Sequence, residues 1–286
     1  MTKVATFTKL SIVMPVYNES RTIVSAIERV LAVDYPCPVE LVVVDDGSRD
    51  RTPELLAAYT EHGLRLIRHS RNLGKGAAVR TGVAEVTGTH LIILDADLEY
   101  SPADIPAMLR PVLEGRTDHV FGTRVFGMNT RFQSFRFAMG GRLLTLAANV
   151  LYDSCLTDMH SCLKLVPVEQ FRSMTLAENG FGLDTELTAR LLRVGVRPYE
   201  IPVSYDGRSF EQGKKISWRD GVRCLSILAK VRTTPAQELC ARPGTGRATP
   251  PNGASVGAWR VSAPVARDTP PPAIEGNDTS DPAVAL

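Results

Sequence analysis

The stretch Leu91-Ile-Ile-Leu-Asp-Ala-Asp-Leu-Glu-Tyr100 decides the fold of this chain. Its first four residues are all apolar, which is typical of a strand buried on both faces. Two carboxylates, Asp95 and Asp97, follow the strand directly. Ligands of α/β sheets bind at the carboxyl ends of strands, so this pair predicts a site for Mg²⁺ or Mn²⁺ carrying a phosphate. A solvated acidic turn is the alternative interpretation.

Composition narrows the class of protein. The chain has 286 residues, 44% of them hydrophobic, which is enough for one α/β domain with extra segments. The net charge of +2 is too small to indicate general nucleic-acid binding. The five cysteines are odd in number and lack CxxC spacing, which favours a reducing cytosolic setting over a disulfide or zinc framework. No signal peptide and no transmembrane helix are predicted, because no apolar stretch is long enough.

Predicted strands and helices alternate along most of the chain, which predicts an α/β fold with a mostly parallel sheet flanked by helices. The predicted strands cover residues 11–16, 39–44, 64–67, 90–94, 118–122, 163–166 and 196–203. The predicted helices cover residues 23–30, 52–59, 77–86, 101–113, a segment ending near 152, 183–194 and 216–231. The last of these is amphipathic, with Trp218, Val222, Leu225 and Ala229 on one side.

The C-terminal segment differs in composition from the rest. From about Thr233 it is rich in Pro, Ala, Gly and Thr and includes Pro270-Pro-Pro272. Such a segment has little apolar surface to bury. The sequence therefore predicts a folded domain over residues 1–232 and a disordered tail over residues 233–286.

Two further loops follow predicted strands. In Asp45-Asp-Gly-Ser48 one carboxylate, expected to be Asp46, is turned inward to accept hydrogen bonds from a nucleobase or ribose. An Asx turn with a helix cap explains the same residues equally well. Arg71-Asn-Leu-Gly-Lys-Gly76 is a glycine-containing loop before a helix, a weak signal for an anion site.

Two basic stretches lie downstream. Residues 124–142 hold four arginines and no acid, with phenylalanines interleaved. They fit an anionic lipid surface, nucleic-acid stacking, or a packing helix with a solvated basic side. Residues 208–215 (RSFEQGKK) form either a loop that closes over a diphosphate or an exposed basic loop.

The ordered set of motifs resembles the family 2 glycosyltransferases of the GT-A fold, which is Rossmann-like. The motifs are Pro15-Val-Tyr-Asn-Glu19, Val44-Asp-Asp-Gly-Ser48, Arg71-Asn-Leu-Gly-Lys-Gly76 and Asp95-Ala-Asp-Leu98. With residues 157–164, 181–186 and 203–215, the chain looks most like the polyprenyl-phosphate sugar synthases, of the dolichyl-phosphate mannose and glucose synthase type. The resemblance covers roughly residues 10 to 232.

The resemblance implies roles for individual residues. The residues expected to hold the nucleotide sugar are Pro15, Tyr17, Glu19, Asp46, Lys75, Asp95 and Ala96. Those expected to hold the metal are Asp95, Asp97 and Glu99, where the family often has Gln in place of Glu99. Arg124 is expected near the donor and the acceptor phosphate, and Arg208 and Lys214 at the diphosphate. Asp158, with Asp184 or Glu186, is a candidate for orienting sugar hydroxyls or acceptor-site cations.

The function implied is metal-dependent, inverting transfer of a hexose from GDP-mannose or UDP-glucose to a polyprenyl or dolichyl phosphate. The enzyme is expected in the cytoplasm, attached peripherally to the inner face of the membrane. One alternative is transfer to a sugar hydroxyl of a soluble or cell-wall glycan, with Asp158 or Glu186 as base. Another is a non-enzymatic nucleotide-sugar binder. The absence of a QxxRW stretch argues against a processive polysaccharide synthase.

Overall fold

A computed structural model of the chain describes residues 7–59, 64–126, 129–208, 218–240 and 257–258. Its centre is an eight-stranded sheet in the order β10-β3-β2-β1-β4-β7-β5-β8. The strands of this sheet are β1 (Leu10–Val16), β2 (Val39–Asp45), β3 (Arg65–Arg68), β4 (His90–Ile93), β5 (Val120–Thr123), β7 (Lys164–Pro167), β8 (Tyr199–Pro202) and β10 (Gly257–Ala258). A separate pair joins β6 (Thr130–Arg131) to β9 (Tyr205–Asp206).

The helices cover both faces of the sheet. They are α1 (Ile23–Leu31), α2 (Thr52–Ala57), α3 (Lys75–Glu85), α4 (Ile105–Leu113), α5 (Phe135–Tyr152), α6 (Val168–Ser173), α7 (Gly182–Arg193), α8 (Trp218–Thr233) and α9 (Ala236–Leu239). A 3-10 turn, Pro102–Asp104, precedes α4.

Two hydrophobic cores lie on opposite faces of the sheet. Because side chains alternate along a strand, β1 sends Val13 into one core and Ile12 and Met14 into the other. One core also takes apolar residues of α3, α7 and α8, and the other those of α1 and α4. Strands covered on both faces are mostly apolar, and β1 and β4 are hydrophobic apart from the buried Ser11 and His90.

The predicted α/β class and the mostly parallel arrangement of the central strands are confirmed. β1 pairs parallel with both β2 and β4, and β2 pairs parallel with β3. β7 is the exception at the centre, because it runs antiparallel to β4 and β5. This direction brings the loop before β7, residues 158–163, to the same sheet edge as the carboxyl end of β4.

Local boundaries differ from the prediction, most clearly in two places. The predicted helical segment ending near residue 152 begins at Phe135, after the short strand β6, so only the second half of residues 124–142 is helical. The predicted strand 196–203 is confined to Tyr199–Pro202. In both places backbone pairing with a distant segment, which local pattern does not reveal, sets the limit.

The apolar side predicted for the last amphipathic helix faces outward. In α8 Val222 and Leu225 are 58% and 48% exposed, whereas Cys224, Ile227, Leu228 and Val231 are buried. The buried side packs against α7 and α5, and the Tyr152 hydroxyl donates to the Leu228 carbonyl at 2.6 Å. Helix α8 therefore carries apolar residues on two sides.

The predicted domain boundary after residue 232, and the predicted disorder of the tail that follows it, stay predictions. Helix α8 extends to Thr233, and Leu239 at the end of α9 is fully buried. Packed structure thus continues a few residues beyond the predicted boundary. Residues 241–256 and 259–286 lie outside the described part of the chain.

Among the described residues, no helix has the length and hydropathy needed to cross a bilayer.

Candidate functional site

The candidate site lies where β1, β2 and β4 end, at one edge of the sheet. Pro15 is buried within β1 beside Val44, and the strand ends one residue later. Tyr17 is partly exposed. The Glu19 carboxylate accepts a hydrogen bond from the Thr22 hydroxyl at 3.0 Å and faces Arg208. The segment predicted to hold the nucleoside therefore lines this edge.

Asp46 has protein partners on both of its carboxylate oxygens. Oδ1 accepts from the Leu73 N–H at 2.9 Å and lies 2.7 Å from His69 Nδ1. Oδ2 accepts from the Gly74 N–H at 2.8 Å. Asp46 thus ties the end of β2 to the 71–76 loop, and its predicted contact with a nucleobase stays a prediction. Asp45 is buried as well, so alternation does not separate the two.

The 71–76 loop uses its glycines to approach another backbone segment. Gly74 has a φ of 98°, a conformation that favours glycine. The N–H groups of Gly76 and Ala77, at the start of α3, donate to the Asn179 carbonyl at 2.6 and 3.3 Å. Since these donors are already engaged, the predicted anion site at this helix terminus has no support in the geometry.

Asp95 and Lys75 begin a buried chain of alternating charges. Lys75 Nζ lies 2.7 Å from Asp95 Oδ2 and 3.5 Å from Asp184 Oδ2. Lys164 Nζ lies 3.6 Å from Asp184 Oδ1 and is completely buried. Burial alone would raise the pKa of Asp184, but Lys75 and Lys164 outweigh it and lower that pKa. Asp184 therefore positions two lysines.

Asp97 and Glu99 converge on Arg208. Arg208 Nη2 lies 2.7 Å from Asp97 Oδ2, and the Arg208 N–H donates to Glu99 Oε1 at 2.9 Å. The Tyr205 hydroxyl donates to Glu99 Oε2 at 3.0 Å. Burial raises the pKa of Asp97 to about 7, with Asp95 and Glu99 adding to the shift and Arg208 opposing it. Asp97 therefore takes up a proton more readily than an ordinary carboxylate.

The predicted metal ligands lie at one edge of the sheet but do not form a ready-made cage. In the part of the chain that the structure describes, no three His, Cys, Asp or Glu side chains are grouped to hold a metal ion. Asp95 is paired with Lys75 and Asp97 with Arg208. Mg²⁺ is usually held by only one or two carboxylates plus substrate phosphates, so oxygen ligands at Asp97 fit a metal that arrives with a diphosphate.

Arg124 is held at the next strand end by Asp158. Arg124 Nε and Nη2 lie 2.6 and 2.8 Å from the two Asp158 oxygens. The guanidinium also lies 5.0 Å from the Tyr205 ring centroid and 5.9 Å from that of Phe132. Burial alone would raise the pKa of Asp158, but Arg124 outweighs it and lowers that pKa to about 2. A carboxylate with so low a pKa is a poor general base near neutral pH.

Glu186 faces away from these groups. Its Oε2 accepts from the N–H groups of Ala177 and Glu178 at 2.9 and 2.8 Å, and its Oε1 pairs with Arg190. These contacts assign Glu186 to holding the 177–178 segment, and its predicted catalytic role stays a prediction. Lys214 lies in 209–217, outside the described residues.

Sequence reasoning assigned no role to two buried groups of the site. Lys164 is the single cation of a buried strand, a signal that could have found it. His160 has both ring nitrogens buried with no hydrogen-bond partner among the described residues. Burial, with Lys164 nearby, lowers the pKa of His160 to about 4, so the imidazole is neutral at pH 7.

Solved structures share the fold. Glucosyl-3-phosphoglycerate synthase from Mycobacterium tuberculosis, in complex with Mn²⁺, UDP and glucosyl-3-phosphoglycerate, superposes with a TM-score of 0.61 at 22% identity, over 80% of this chain and 81% of that one. The likeness confirms a GT-A-like fold.

Several curated relatives align with this chain. Glycosyltransferase AglJ from Haloferax volcanii is 30% identical over 68% of this chain and 62% of its own length. Dodecaprenyl-phosphate galacturonate synthase from Rhizobium johnstonii is 36% identical over 41% of this chain and 36% of its own length. Undecaprenyl-phosphate 4-deoxy-4-formamido-L-arabinose transferase from Serratia proteamaculans is 35% identical over 40% of this chain and 37% of its own length. The chain thus spans between about one third and two thirds of these relatives.

The profile of the glycosyl transferase family 2 matches residues 11–162. This range is more than half of the chain and contains Asp46, Lys75, Asp97 and Arg124. The chain therefore belongs to glycosyl transferase family 2.

Proposed function

We propose that this protein transfers a hexose from a nucleotide sugar, GDP-mannose or UDP-glucose, to a polyprenyl or dolichyl phosphate, with inversion at the anomeric carbon. The names of two relatives, dodecaprenyl-phosphate galacturonate synthase and undecaprenyl-phosphate 4-deoxy-4-formamido-L-arabinose transferase, support a lipid phosphate acceptor. The observation that carries the proposal is the position of Arg124. This partly buried cation joins the acidic strand ends, through Tyr205, to a segment with exposed phenylalanines that begins at Phe132.

The donor side rests on Asp97. Its carboxylate is a hard-oxygen ligand suited to Mg²⁺ or Mn²⁺, and it already accommodates a cationic group, Arg208, at 2.7 Å. The similar mycobacterial structure contains Mn²⁺ and UDP, which supports a divalent ion and a nucleotide here. When bound, such an ion stabilises the negative charge on the departing diphosphate. Lys75 holds Asp95, so Asp97 is the carboxylate that we propose as the protein ligand.

The acceptor side needs no strong base. A phosphate monoester is already ionised near pH 7 and attacks as an anion. The task of the protein is then to bring two anions together and to align them. Arg124 is suited to this task, because Asp158 fixes its guanidinium by two bonds and Tyr205 and Phe132 pack close to it.

Transfer to a sugar hydroxyl is less well supported. A neutral hydroxyl requires a base to remove its proton. The predicted bases are engaged elsewhere, since Asp158 is bound to Arg124 with a lowered pKa and Glu186 holds a backbone segment. A purely nucleotide-sugar-binding role leaves the arrangement of Arg124 without a purpose.

Membrane contact is proposed through helices α5 and α8, which pack against each other. The α5–α8 apolar surface consists of the exposed side chains Phe135, Leu143, Leu146, Val150, Val222 and Leu225. On α5 these residues fall within one helical face, and the exposed Arg136 and Arg142 lie on the same helix. Apolar insertion together with cations is the pattern of helices that lie on anionic lipid. We propose that this surface rests on the inner, cytoplasmic leaflet.

A direct assay tests the function. The full chain is incubated with MnCl₂, polyprenyl phosphate and radiolabelled GDP-mannose or UDP-glucose, and label in the organic phase is counted. We expect organic-soluble label with one donor and its loss in the Asp97→Asn variant. No extractable label with either donor, from a protein that binds the donor, would contradict the proposed acceptor.

A further inference from the structure

Three carboxylates surround the guanidinium of Arg208. Nη2 lies 2.7 Å from Asp97 Oδ2, Nε lies 3.5 Å from Glu99 Oε1, and Nη1 lies 3.5 Å from Glu19 Oε2. The acids come from two loops, one after β1 and one after β4. Their side chains are only 14 to 15% exposed, and that of Arg208 is 22% exposed. Arg208 is therefore the cation that compensates this acidic cluster.

Arg208 occupies one oxygen of the carboxylate that we propose as the metal ligand. Asp97 Oδ1 already accepts the Glu99 N–H at 3.1 Å, and Oδ2 accepts Arg208. A divalent ion bound through Oδ2 would meet the guanidinium within a few ångströms, and two like charges this close repel strongly. The two cations therefore exclude each other at Asp97.

Glu99 keeps Arg208 in this place. Its two oxygens accept separate bonds, Oε1 from the Arg208 backbone N–H at 2.9 Å and Oε2 from the Tyr205 hydroxyl at 3.0 Å. The Asp206 N–H donates to the Glu99 carbonyl at 2.9 Å. Both the backbone and the side chain of Glu99 thus fix the segment that ends in Arg208. Each carboxylate oxygen of Glu99 already accepts a hydrogen bond from this segment.

We propose that Arg208 is the resident cation of the donor-free site, that the divalent ion must displace it from Asp97, and that Glu99 is a positioning residue for Arg208 rather than a metal ligand. This inference rests on the metal-dependent transfer proposed above. The exchange is coupled to the donor, because a diphosphate gives the displaced guanidinium new oxygen partners. Metal alone therefore binds weakly, and metal with a nucleoside diphosphate binds well.

The test measures Mn²⁺ binding by titration calorimetry, without nucleotide and then with saturating UDP or GDP. Arg208→Gln removes the competing cation, so we expect it to bind Mn²⁺ alone at least about 10-fold more tightly than the unaltered protein. With diphosphate present, we expect the tighter Mn²⁺ binding of Arg208→Gln to disappear or reverse, because the phosphates have lost the Arg208 guanidinium as a partner. Equal or weaker binding of Mn²⁺ alone by Arg208→Gln would overturn the proposal.

Arg131→Gln is the matched control. Arg131 lines one surface pocket together with Asp97 and Arg208, but it pairs with Asp206 at 2.6 Å. Its loss changes the net charge by the same amount as the loss of Arg208. We expect it to leave Mn²⁺ binding unchanged within about 2-fold. A gain equal to that of Arg208→Gln would show a general charge effect and overturn the proposal.

Two more variants locate the ion and assign Glu99. If the ion binds at Asp97, adding Asp97→Asn to Arg208→Gln abolishes the tighter binding of Mn²⁺ alone. If the double variant still binds Mn²⁺ more tightly than the unaltered protein, the exchange of Arg208 for the ion at Asp97 is contradicted. Glu99→Gln preserves one acceptor for the Arg208 N–H, so we expect Mn²⁺ binding with diphosphate to change less than about 3-fold. A loss of 10-fold or more would make Glu99 a metal ligand. Failure of the unaltered protein to bind Mn²⁺ with either diphosphate would count against the proposed metal dependence itself.

Discussion

Arg124 and Asp158 form a two-point ion pair in which each guanidinium nitrogen meets a different carboxylate oxygen, at 2.6 and 2.8 Å. The pair joins the end of β5 to the loop before β7. Asp158 accepts two further bonds, from the N–H groups of Arg124 and His160 at 3.2 and 3.1 Å. The carboxylate is therefore fully used in fixing one cation, which makes Asp158 a positioning residue for Arg124.

Replacing Arg124 with Lys separates geometry from charge. Lysine keeps the charge but cannot form the two parallel bonds. We expect transfer of the hexose to the lipid phosphate to fall about 10- to 100-fold, and the free energy of unfolding to fall by about 1 to 3 kcal/mol. Transfer assays and urea denaturation measure the two effects.

Arg131 provides the control for this substitution. It forms the same two-point pair with Asp206, at 2.6 and 2.8 Å, but both side chains are more than half exposed. Exposed pairs contribute about 0 to 1 kcal/mol, so Arg131→Lys should hardly change stability or activity. Similar losses in both variants would mean that the position of Arg124 has no special importance.

The sequence predicts the strands that build this site better than it predicts the partners of their side chains. The stretches 12–16, 41–44 and 91–94 are apolar throughout, as burial on both faces of a sheet favours. The acids that follow them are therefore placed at one edge by local pattern alone. Their cations are not local: Lys75 is 20 residues from Asp95, and Arg208 is 111 residues from Asp97.

Helix α8 shows a second reason for the difference. Its sequence has an apolar row at 222 and 225 and another at 224, 227, 228 and 231. Only the packing of α5 and α7 decides which row is buried, and periodicity cannot choose between them. The reversed direction of β7 is likewise a property of the sheet and leaves no mark on its four residues.

The buried pair of Asp184 and Lys164 predicts a cost that depends on which partner remains. Asp184→Leu leaves Lys164 charged and buried without its carboxylate, and we expect a loss of about 3 to 5 kcal/mol in the free energy of unfolding. Adding Lys164→Met removes the stranded charge, so the double variant should recover at least half of that loss. Guanidinium denaturation of the four proteins of this cycle measures the coupling, and strictly additive losses would contradict it.

His90 gives stability a pH dependence. Burial lowers the pKa of His90 to about 4, although Asp118, 3.8 Å away, opposes the shift. The unfolded chain binds a proton near pH 6.5, before the folded chain does. The contribution of His90 to stability is therefore fully present above about pH 6.5 and is lost as the pH falls through 4, by about 3 kcal/mol in total.

Urea denaturation between pH 7.5 and 4 measures this slope. His90→Phe keeps an aromatic ring beside Phe7 but cannot be protonated, so its stability should fall less steeply over the same range. Ile93→Val, on the same strand, lowers stability by about 0.5 to 1.5 kcal/mol at every pH and serves as the control. Parallel curves for the unaltered protein and His90→Phe would show that His90 contributes nothing to the slope.

The α5–α8 apolar surface predicts binding to anionic vesicles. Leu146 belongs to this surface and is 57% exposed. Leu146→Glu should leave folding intact, because little packing is lost. It places a charge where acyl chains would lie. We expect flotation with phosphatidylglycerol vesicles to fall at least about 10-fold. Leu113→Glu makes the same change at a 44% exposed leucine on α4, outside this surface, and should float like the unaltered protein.

Because Arg136 and Arg142 would contribute electrostatically, binding to the vesicles should also weaken as the salt concentration rises. Equal flotation of the two variants would remove this surface as the membrane contact, whereas loss only in Leu146→Glu would place the lipid phosphate on the side of the site where Phe132 and Arg124 lie.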